Sequence, residues 1–293
     1  MSLLFRLLGR LPLPVLYACG AVLSLVLQYV VRYRRQTVKS NLAHAFPELS
    51  ETERRRIMRR FYRHLCDLTA EVLVAPRLAP EELARRVVFD NPEVLTRFAS
   101  QRQSLMLLTC HQGNWEWLLH AVTPLLGCPV DAVYKPLHNR HADELMRHVR
   151  SHLGNPIPFQ NAAREILRRR REFRAFAMVA DQAPFKRDKR HWRTFFGRPA
   201  SFYLGPQKIA ELAQRPVVFL SMYQLRRGYY RVRLEILAEP PHTKGGTEIL
   251  DRYIDAVEAS IRAQPHTWLW SNRKWKHQPP AAEHTESGMQ TSV

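Results

Sequence analysis

The stretch LMLLTCHQGNWEWLLHAV, residues 105–122, decides the fold. Its first part belongs to an uninterrupted apolar run, Ser104–Cys110, which predicts a strand buried on both faces. The part that follows Gly113 predicts a helix from about Trp115 to Leu126. A buried strand that passes through a short loop into a helix is the repeating unit of α/β proteins, in which parallel strands alternate with helices.

Short apolar runs and helical stretches continue to alternate along the rest of the chain. Strands are predicted at 130–134, 173–180, 216–222 and 229–237. Helices are predicted at 142–153, 162–171, 206–214 and 247–263. Residues 36–75 also predict helices, with Ser50 and Glu53 at the spacing of a capping box. We therefore predict an α/β fold with a largely parallel central sheet that is flanked by helices.

An N-terminal apolar segment precedes this part of the chain. Leu11–Val31 holds twenty-one residues without a charge, and about 20 such residues in a helix cross a bilayer. The run lacks the small-residue cleavage site of a signal peptide, so we predict an uncleaved membrane anchor in residues 1–35. Pro12, Pro14 and Gly20 also permit a bent helix that enters only the membrane surface. Spanning and surface insertion both remain open.

The chain is strongly basic. It carries 45 Lys plus Arg against 26 Asp plus Glu, a formal net charge of +19. Such a charge favours nucleic acid, an anionic membrane or an acidic protein as partner. The sequence has no zinc-finger, ribonucleoprotein or basic-zipper signature, and an apolar N-terminus is unusual for a nucleic-acid-binding protein, so we predict no nucleic-acid partner. The basic runs at 168–171 and 186–193 are either solvated surface or contacts for anionic lipid or an acidic carrier.

The sequence also predicts the membrane sidedness, the domain boundaries and the redox state of the cysteines. Basic residues flank the apolar run on both sides, Arg6 and Arg10 before it and the heavier cluster Arg32, Arg34 and Arg35 after it; the heavier cluster predicts the remainder of the chain on the cytoplasmic side. Residues 36–278 are predicted to form one catalytic domain, and the polar segment 279–293 is predicted to be disordered. The four cysteines form no C-x-x-C pair, which is typical of reduced thiols in the cytoplasm.

A candidate site follows the strand of the opening stretch. His111 comes directly after that strand, and ligands of parallel sheets collect at the carboxyl ends of strands. Glu116 lies on the first turn of the next helix, and Gly113 allows the loop to bring its carboxylate to the imidazole. A carboxylate bonded to one ring nitrogen fixes the tautomer and leaves the other nitrogen able to accept a proton. We predict His111 as general base with Glu116 as its partner; alternatively, His111 is an ordinary polar residue that caps the strand.

Five blocks of sequence carry a resemblance to a known family. The first is CHQGNWEW at 110–117, which resembles the H-x4-D/E block of glycerolipid-type acyltransferases. The others are Val133-Tyr134-Lys135-Pro136 with Asn139 beyond it, Asp181-Gln182, FFGRPA at 195–200 and WSNRKWK at 270–276. Together and in this order, the five blocks resemble those of the bacterial lipid A biosynthesis acyltransferases that add lauroyl or myristoyl chains, and they cover roughly residues 5–277. The chain departs from the family pattern at Asn272, where histidine is usual, and at Ala183-Pro184.

The resemblance implies a reaction. The donor would be an acyl thioester on acyl carrier protein, and the acceptor a hydroxyl of a lipid A precursor, which is an anionic lipid. His111 would remove the hydroxyl proton as the oxygen attacks the thioester carbonyl. The resulting oxyanion needs hydrogen-bond donors. The candidates are the backbone N–H groups around Gly113 and Asn114, and a basic side chain from Lys135, Arg150 or Arg164.

Two further residues are candidates for substrate contacts. Asp181 is predicted to position a substrate hydroxyl or a basic side chain, or else to cap the segment that follows its strand. Arg273, with its basic neighbours Lys274 and Lys276, is predicted to hold a substrate phosphate. The proposed chemistry requires no cofactor, and the sequence contains no H-E-x-x-H motif that would imply a metal.

The predicted function is therefore a membrane-bound acyltransferase of the lauroyl or myristoyl type. It would act late in lipopolysaccharide biosynthesis at the cell inner membrane, with its catalytic domain on the cytoplasmic side. One alternative is an acyltransferase of the same superfamily that acts on a phospholipid, an ornithine lipid, a glycolipid or an aryl polyene. Another is a non-catalytic membrane scaffold, which would not depend on His111.

Overall fold

The structure is a computed structural model that describes residues 9–134, 143–144, 150, 156–185 and 189–279. The helices of these residues are α1 (Leu13–Leu25), α2 (Arg35–Ala45), α3 (Glu51–Val74), α4 (Pro80–Arg86), α5 (Glu93–Ser100), α6 (Trp115–Leu126), α7 (Ala162–Arg168), α8 (Gly205–Ala213) and α9 (Glu248–Ala263). Helix α1 continues into a π-helical turn, Val26–Val30. Short 3₁₀ turns occur at Ala75–Arg77, Phe159–Asn161 and Pro265–Thr267.

The strands form one large sheet and one small ribbon. They are β1 (Val87–Phe89), β2 (Leu105–Thr109), β3 (Val130–Tyr134), β4 (Ile157–Pro158), β5 (Ala175–Val179), β6 (Arg190–Phe195), β7 (Arg198–Tyr203), β8 (Val217–Arg226) and β9 (Tyr229–Ala238). In the described part of the chain, seven of them form a sheet in the order β1-β9-β8-β2-β5-β3-β4, and β6 pairs with β7. Within the sheet β8 and β9 are antiparallel, and the other pairs are parallel. The predicted fold class is confirmed.

Both faces of the sheet are buried at β2, which explains the uninterrupted apolar run of this strand. Leu105 and Leu107 belong to the hydrophobic cluster on the face covered by α6. Met106 and Leu108 point the other way, into the cluster that α9 covers. Successive side chains of a strand alternate between faces, so a strand covered on both sides needs apolar residues at every position.

The order of strands in space differs from their order in the chain. Strand β5 lies between β2 and β3, although β3 precedes it in sequence. The register of β2 and β5 pairs Thr109 with Val179. The strands are parallel, so the residues that follow these two positions emerge side by side at the carboxyl edge of the sheet.

Of the other predicted elements, one is confirmed in detail and two lie mostly outside the described residues. The capping box of α3 is confirmed, since the Ser50 hydroxyl accepts from the Glu53 N–H and the Glu53 carboxylate accepts from the Ser50 N–H. The predicted helix at 142–153 lies mostly outside the described residues, as does the predicted tail at 279–293. The sequence analysis did not identify β1, α4, α5 or the β6–β7 ribbon.

Among the described residues, one helical segment is long and apolar enough to cross a membrane, judged by length and composition alone. It is the continuous helix Leu13–Val30, formed by α1 and its π-helical turn. This segment packs against α3.

Candidate active site

A histidine and an aspartate meet at the carboxyl edge of the sheet. His111 follows β2 and Asp181 follows β5, and the His111 Nδ1 lies 2.6 Å from the Asp181 Oδ1. The second oxygen of Asp181 accepts from the Trp268 indole N–H at 2.7 Å. Asp181 is buried, so both of its oxygens are directed by these two partners.

The surroundings of Asp181 keep its carboxyl ionised. Burial alone would raise the pKa of Asp181, but the charge of His111 and the hydrogen bonds from His111 and Trp268 together lower it below the usual range. An ionised carboxylate can only accept a hydrogen bond, so Nδ1 of His111 carries the proton in the neutral ring. The other nitrogen, Nε2, is then left with its lone pair, and it lies 3.3 Å from the side-chain nitrogen of Gln182.

Glu116 occupies a different position from the one predicted. Its carboxylate accepts two hydrogen bonds from Arg150, one from Nε at 2.9 Å and one from a terminal nitrogen at 2.5 Å. This bidentate geometry is the strongest form of an arginine–carboxylate contact. The predicted pairing of Glu116 with the imidazole of His111 was therefore wrong, because the adjacency of β2 and β5 places Asp181 at Nδ1 instead.

The His111 ring and the Glu116–Arg150 pair line one cavity of about 380 Å³. Its polar end also includes Gln182. Its apolar lining, between α6 and the sheet, includes Leu107, Leu118, Leu119, Val122, Ala132, Ala177 and Leu220. Cavities of this size and polarity are typical sites for small ligands with an apolar body. The arrangement places a proton-accepting nitrogen and a guanidinium beside a slot that suits a hydrocarbon chain.

Gly113 and Asn114 hold the loop rather than face the cavity. Gly113 has φ of 63°, and a Cβ there would lie 3.0 Å from the carbonyl oxygen of Met222, so only glycine fits. Its N–H donates to the Thr267 carbonyl at 3.2 Å, and the N–H of Asn114 is directed at the Met222 sulfur. These N–H groups have internal partners and neither residue lines the cavity, so the structure gives no support to the prediction that they serve an oxyanion.

Asn114 forms the N-cap of α6. Its side-chain oxygen accepts from the Trp117 N–H at 2.9 Å. Its side-chain nitrogen donates at 2.7 Å to Glu71, a residue of α3 that the sequence analysis did not identify. The Glu71 carboxylate also accepts from the hydroxyls of Tyr17 and Tyr230. Burial raises the pKa of Glu71 to about 7, in spite of these three hydrogen bonds.

The basic residues that were predicted to contact substrate differ in whether they line the cavity. Arg150 lines the cavity, whereas Lys135 lies outside the described residues. Arg164 is exposed on the outer side of α7, whose buried side carries Ala162 and Ile166, so the structure does not bring it to the cavity. Arg273 is likewise exposed and is not part of the cavity lining.

Lys274 differs from its neighbour because it is fully buried. Its ammonium nitrogen donates to the Ser201 carbonyl at 3.1 Å and lies 3.2 Å from the centre of the Phe202 ring. Burial lowers the pKa of Lys274 well below its usual value. The predicted phosphate contact at Lys274 is thus replaced by an internal contact with β7. Among the described residues, no group of three or more His, Cys, Asp or Glu is arranged to hold a metal.

The fold and the site together define a class of protein: an α/β enzyme fold with a histidine–carboxylate pair at the carboxyl edge of its sheet, beside an apolar cavity. The sequence matches the family of bacterial lipid A biosynthesis acyltransferases over residues 2–277. The chain belongs to this family, and it is an acyltransferase of the lipid A type. The resemblance seen in its sequence blocks is thereby confirmed. No curated protein matches the chain.

Proposed function

We propose that the protein transfers a lauroyl- or myristoyl-type acyl chain from acyl carrier protein to a hydroxyl of a lipid A precursor, at the cytoplasmic side of the inner membrane. The observation that carries this proposal is the position of His111. Its Nδ1 is held by the ionised Asp181, and the ring lines an apolar cavity together with Arg150. Family membership supports the acyl transfer and the lipid A class of acceptor.

His111 acts as the general base. Its Nε2 takes the proton of the acceptor hydroxyl while the hydroxyl oxygen attacks the thioester carbonyl carbon. The resulting imidazolium is stabilised by the carboxylate of Asp181, 2.6 Å from Nδ1. When the tetrahedral intermediate collapses, the carbon–sulfur bond breaks and the imidazolium returns the proton to the departing thiolate. The products are an ester and a free thiol, and no acyl-enzyme forms.

Arg150 stabilises the oxyanion, and Glu116 positions Arg150. The two hydrogen bonds between them fix the plane of the guanidinium at the polar end of the cavity. A fixed cation beside a water-poor cavity stabilises developing negative charge more strongly than a mobile one in water. Glu116 thus keeps a part in the mechanism proposed for this site, but through Arg150 rather than through the imidazole.

The apolar part of the cavity holds the acyl chain. Its side chains come from α6 and from the sheet, and both are rigid elements. The donor and the acceptor are both acidic molecules, since acyl carrier protein and lipid A precursors carry negative charge. The net charge of +19 favours their approach.

The test is an acyl-transfer assay in detergent with acyl carrier protein thioesters of several chain lengths and a lipid A precursor. Products are followed by mass spectrometry. Wild type should add the mass of one acyl chain, and His111→Ala should lower the rate by about 10³-fold or more, because the general base is gone. Glu116→Ala should lower it as well, because Arg150 loses its fixed orientation.

A matched control is available in the protein. His191 and Asp251 form a second histidine–aspartate pair at 2.7 Å, and neither residue belongs to the cavity lining. His191→Ala should retain the rate of wild type within about twofold, since the pair lies outside the cavity and shares no partner with His111. Equal product from wild type and His111→Ala would contradict the proposed mechanism. Product with a phospholipid but not with the lipid A precursor would contradict the proposed acceptor.

A further inference from the structure

The N-terminal helix is amphipathic in the opposite sense to a helix of a water-soluble protein. The residues that it buries against the domain are Leu16 and four polar or small residues, Tyr17, Gly20, Ser24 and Gln28. Their spacing of three, four and four residues places them on one face of the helix. In a surface helix of a soluble protein, the buried stripe is apolar and the polar face is exposed.

The outer face of the same helix is apolar. Its exposed large side chains are Val15, Val22, Leu23, Leu25, Val26, Tyr29, Val30 and Val31, with Val30 as much as 75% exposed. A contiguous apolar surface of this extent marks a contact with a membrane or with another protein. The polar stripe fixes the rotation of the helix, so the apolar face has one direction relative to the rest of the protein.

A charged cluster lies directly beside the middle of this helix. A Cβ on Gly20 would lie 3.6 Å from the Asp67 carboxylate of α3. Asp67 accepts from Arg227 at 2.7 Å and lies 3.8 Å from Arg63. The Arg63 and Arg227 side chains are 47% and 30% exposed, so both reach the surface next to the helix. Gly20 is near the centre of the segment Leu13–Val30.

This cluster distinguishes between the two ways in which the helix can meet a membrane. If the helix crossed the bilayer, its centre would lie in the hydrocarbon, and the partly exposed Arg63 and Arg227 would lie there too. Ionised side chains at that depth are strongly unfavourable. If the helix lies parallel to the membrane surface, the apolar face enters the hydrocarbon while the arginines stay at the level of the headgroups.

Helix α3 adds positive charge at the same level. Arg59 and Arg56 are exposed and lie one and two turns before Arg63, on the same side of α3. They extend the charge of Arg63 along the helix that packs beside α1. Basic side chains arranged beside an apolar helix face are the recognition pattern for anionic lipid surfaces.

We propose that the segment Leu13–Val30 lies in the plane of the membrane, inserted into one leaflet of an anionic bilayer by its outer face, with the arginines of α3 on the headgroups. The protein is then monotopic, and neither end of this helix reaches the opposite leaflet. The proposal concerns binding to lipid, so it stands or falls independently of the proposed acyl transfer.

Depth measurements on the full chain test the orientation. Cys19 is exposed and the other cysteines are buried, so a Cys19→Ser protein provides a background for single labels. Val15→Cys, Val22→Cys and Tyr29→Cys place a fluorophore at three exposed sites seven residues apart, which lie on nearly the same face. The labelled proteins are reconstituted into phosphatidylcholine–phosphatidylglycerol vesicles that carry nitroxide quenchers at shallow or deep positions.

The expected result is that the shallow quencher is the more effective one at all three sites, and to a similar degree. A spanning helix would give a different pattern, with Val22→Cys quenched best by the deep nitroxide and the two outer sites by the shallow one. That pattern would overturn the proposal. Absence of quenching at all three sites would also overturn it, and would indicate a protein partner on the apolar face.

A charge-reversal pair tests the role of α3. Arg56→Glu with Arg59→Glu should weaken binding to phosphatidylglycerol-containing vesicles by at least about tenfold, since each basic residue near an anionic surface contributes to attraction. Arg170→Glu with Arg171→Glu makes the same change in net charge. These two exposed residues precede β5 at the amino edge of the sheet, and their reversal should have a clearly smaller effect. Equal loss in both variants would overturn the assignment of the arginines on α3.

Discussion

Two buried carboxylates contact the loop that carries His111, Asp181 at His111 and Glu71 at Asn114, and they differ in what surrounds them. Asp181 bonds the imidazole and an indole N–H, and its histidine partner opens into the cavity. Glu71 is enclosed by two tyrosine hydroxyls and the amide of Asn114, all of which are neutral. The pKa of Asp181 is lowered, whereas burial raises that of Glu71 to about 7.

The difference indicates which of the two carboxylates suits the proposed proton transfer. Asp181 faces a ring that can become a cation, so its charge is compensated when the ring is protonated. Glu71 has hydrogen bonds but no cation among these partners, so burial outweighs them. We therefore expect Asp181 to matter for the rate and Glu71 to matter for stability.

The largest expected effect is that of Asp181→Asn. An amide cannot stabilise the imidazolium and permits the wrong tautomer, so the acyl-transfer rate should fall by about 10³- to 10⁴-fold. The free energy of unfolding should change little, since the Asn oxygen can still accept from Trp268. Rates are measured beside Asp251→Asn, which changes the second histidine–aspartate pair and should leave the rate nearly unaffected. If Asp251→Asn lowered the acyl-transfer rate as much as Asp181→Asn, the effect would not be specific to the carboxylate beside His111.

Next in size is the effect of Glu71→Ala on stability. The change leaves three buried donors without an acceptor, and we expect the free energy of unfolding to fall by about 3 to 4 kcal/mol. Chemical denaturation in a mild detergent measures this loss, with the exposed Glu93→Ala as control at under about 0.5 kcal/mol. If Glu71→Ala were as stable as wild type but as inactive as Asp181→Asn, the two carboxylates would not have separate roles.

The pH dependence of stability sharpens the comparison. The pKa of Glu71 rises from 4.5 to about 7 on folding, so the folded state retains a proton that the unfolded state has lost between these values. The contribution of Glu71 to stability is therefore present below pH 4.5 and is lost as the pH rises through 7. Between pH 5 and pH 8, wild type should lose about 2 to 3 kcal/mol relative to Glu71→Gln. A gap between the two proteins that does not change with pH would show that Glu71 is ionised throughout.

The smallest expected effect belongs to Tyr17→Phe. It removes one of the three hydrogen bonds to Glu71 and the one that links α1 to this cluster. We expect the free energy of unfolding to fall by about 1 kcal/mol, the usual contribution of one such bond. The exposed Tyr33→Phe is the control, and should be close to wild type. A loss as large as that of Glu71→Ala would mean that Tyr17 alone holds the carboxylate in place.

The parts of this molecule that sequence predicted well are those with a local signal. The apolar run before His111 marks a strand because both faces of the sheet are covered, and the loop after a parallel strand is where a site belongs. The capping box at Ser50 was found for the same reason, since it joins residues three positions apart.

The partner of the histidine was not predictable in this way. Glu116 was chosen because it is the nearest carboxylate in sequence, but Asp181 lies seventy positions further along and reaches His111 only because β5 inserts between β2 and β3. Glu71 was missed because its partners come from α1, the loop before α6 and β9. The polar stripe of the N-terminal helix, by contrast, follows helical spacing in the sequence and could have been predicted from it.

The turn between β8 and β9 connects the N-terminal helix to the sheet. Arg227 of this turn follows β8 and donates at 2.9 Å to the carbonyl of Tyr17, so the N-terminal helix contacts the same carboxyl edge of the sheet from which His111 emerges. In the proposed reaction, a protein held on a leaflet by that helix would reach its lipid acceptor by lateral diffusion in two dimensions, whereas the carrier protein would diffuse to it through three-dimensional solution. The acceptor concentration that governs turnover is then a mole fraction in the leaflet, lowered by inert lipid and indifferent to the volume of water around it.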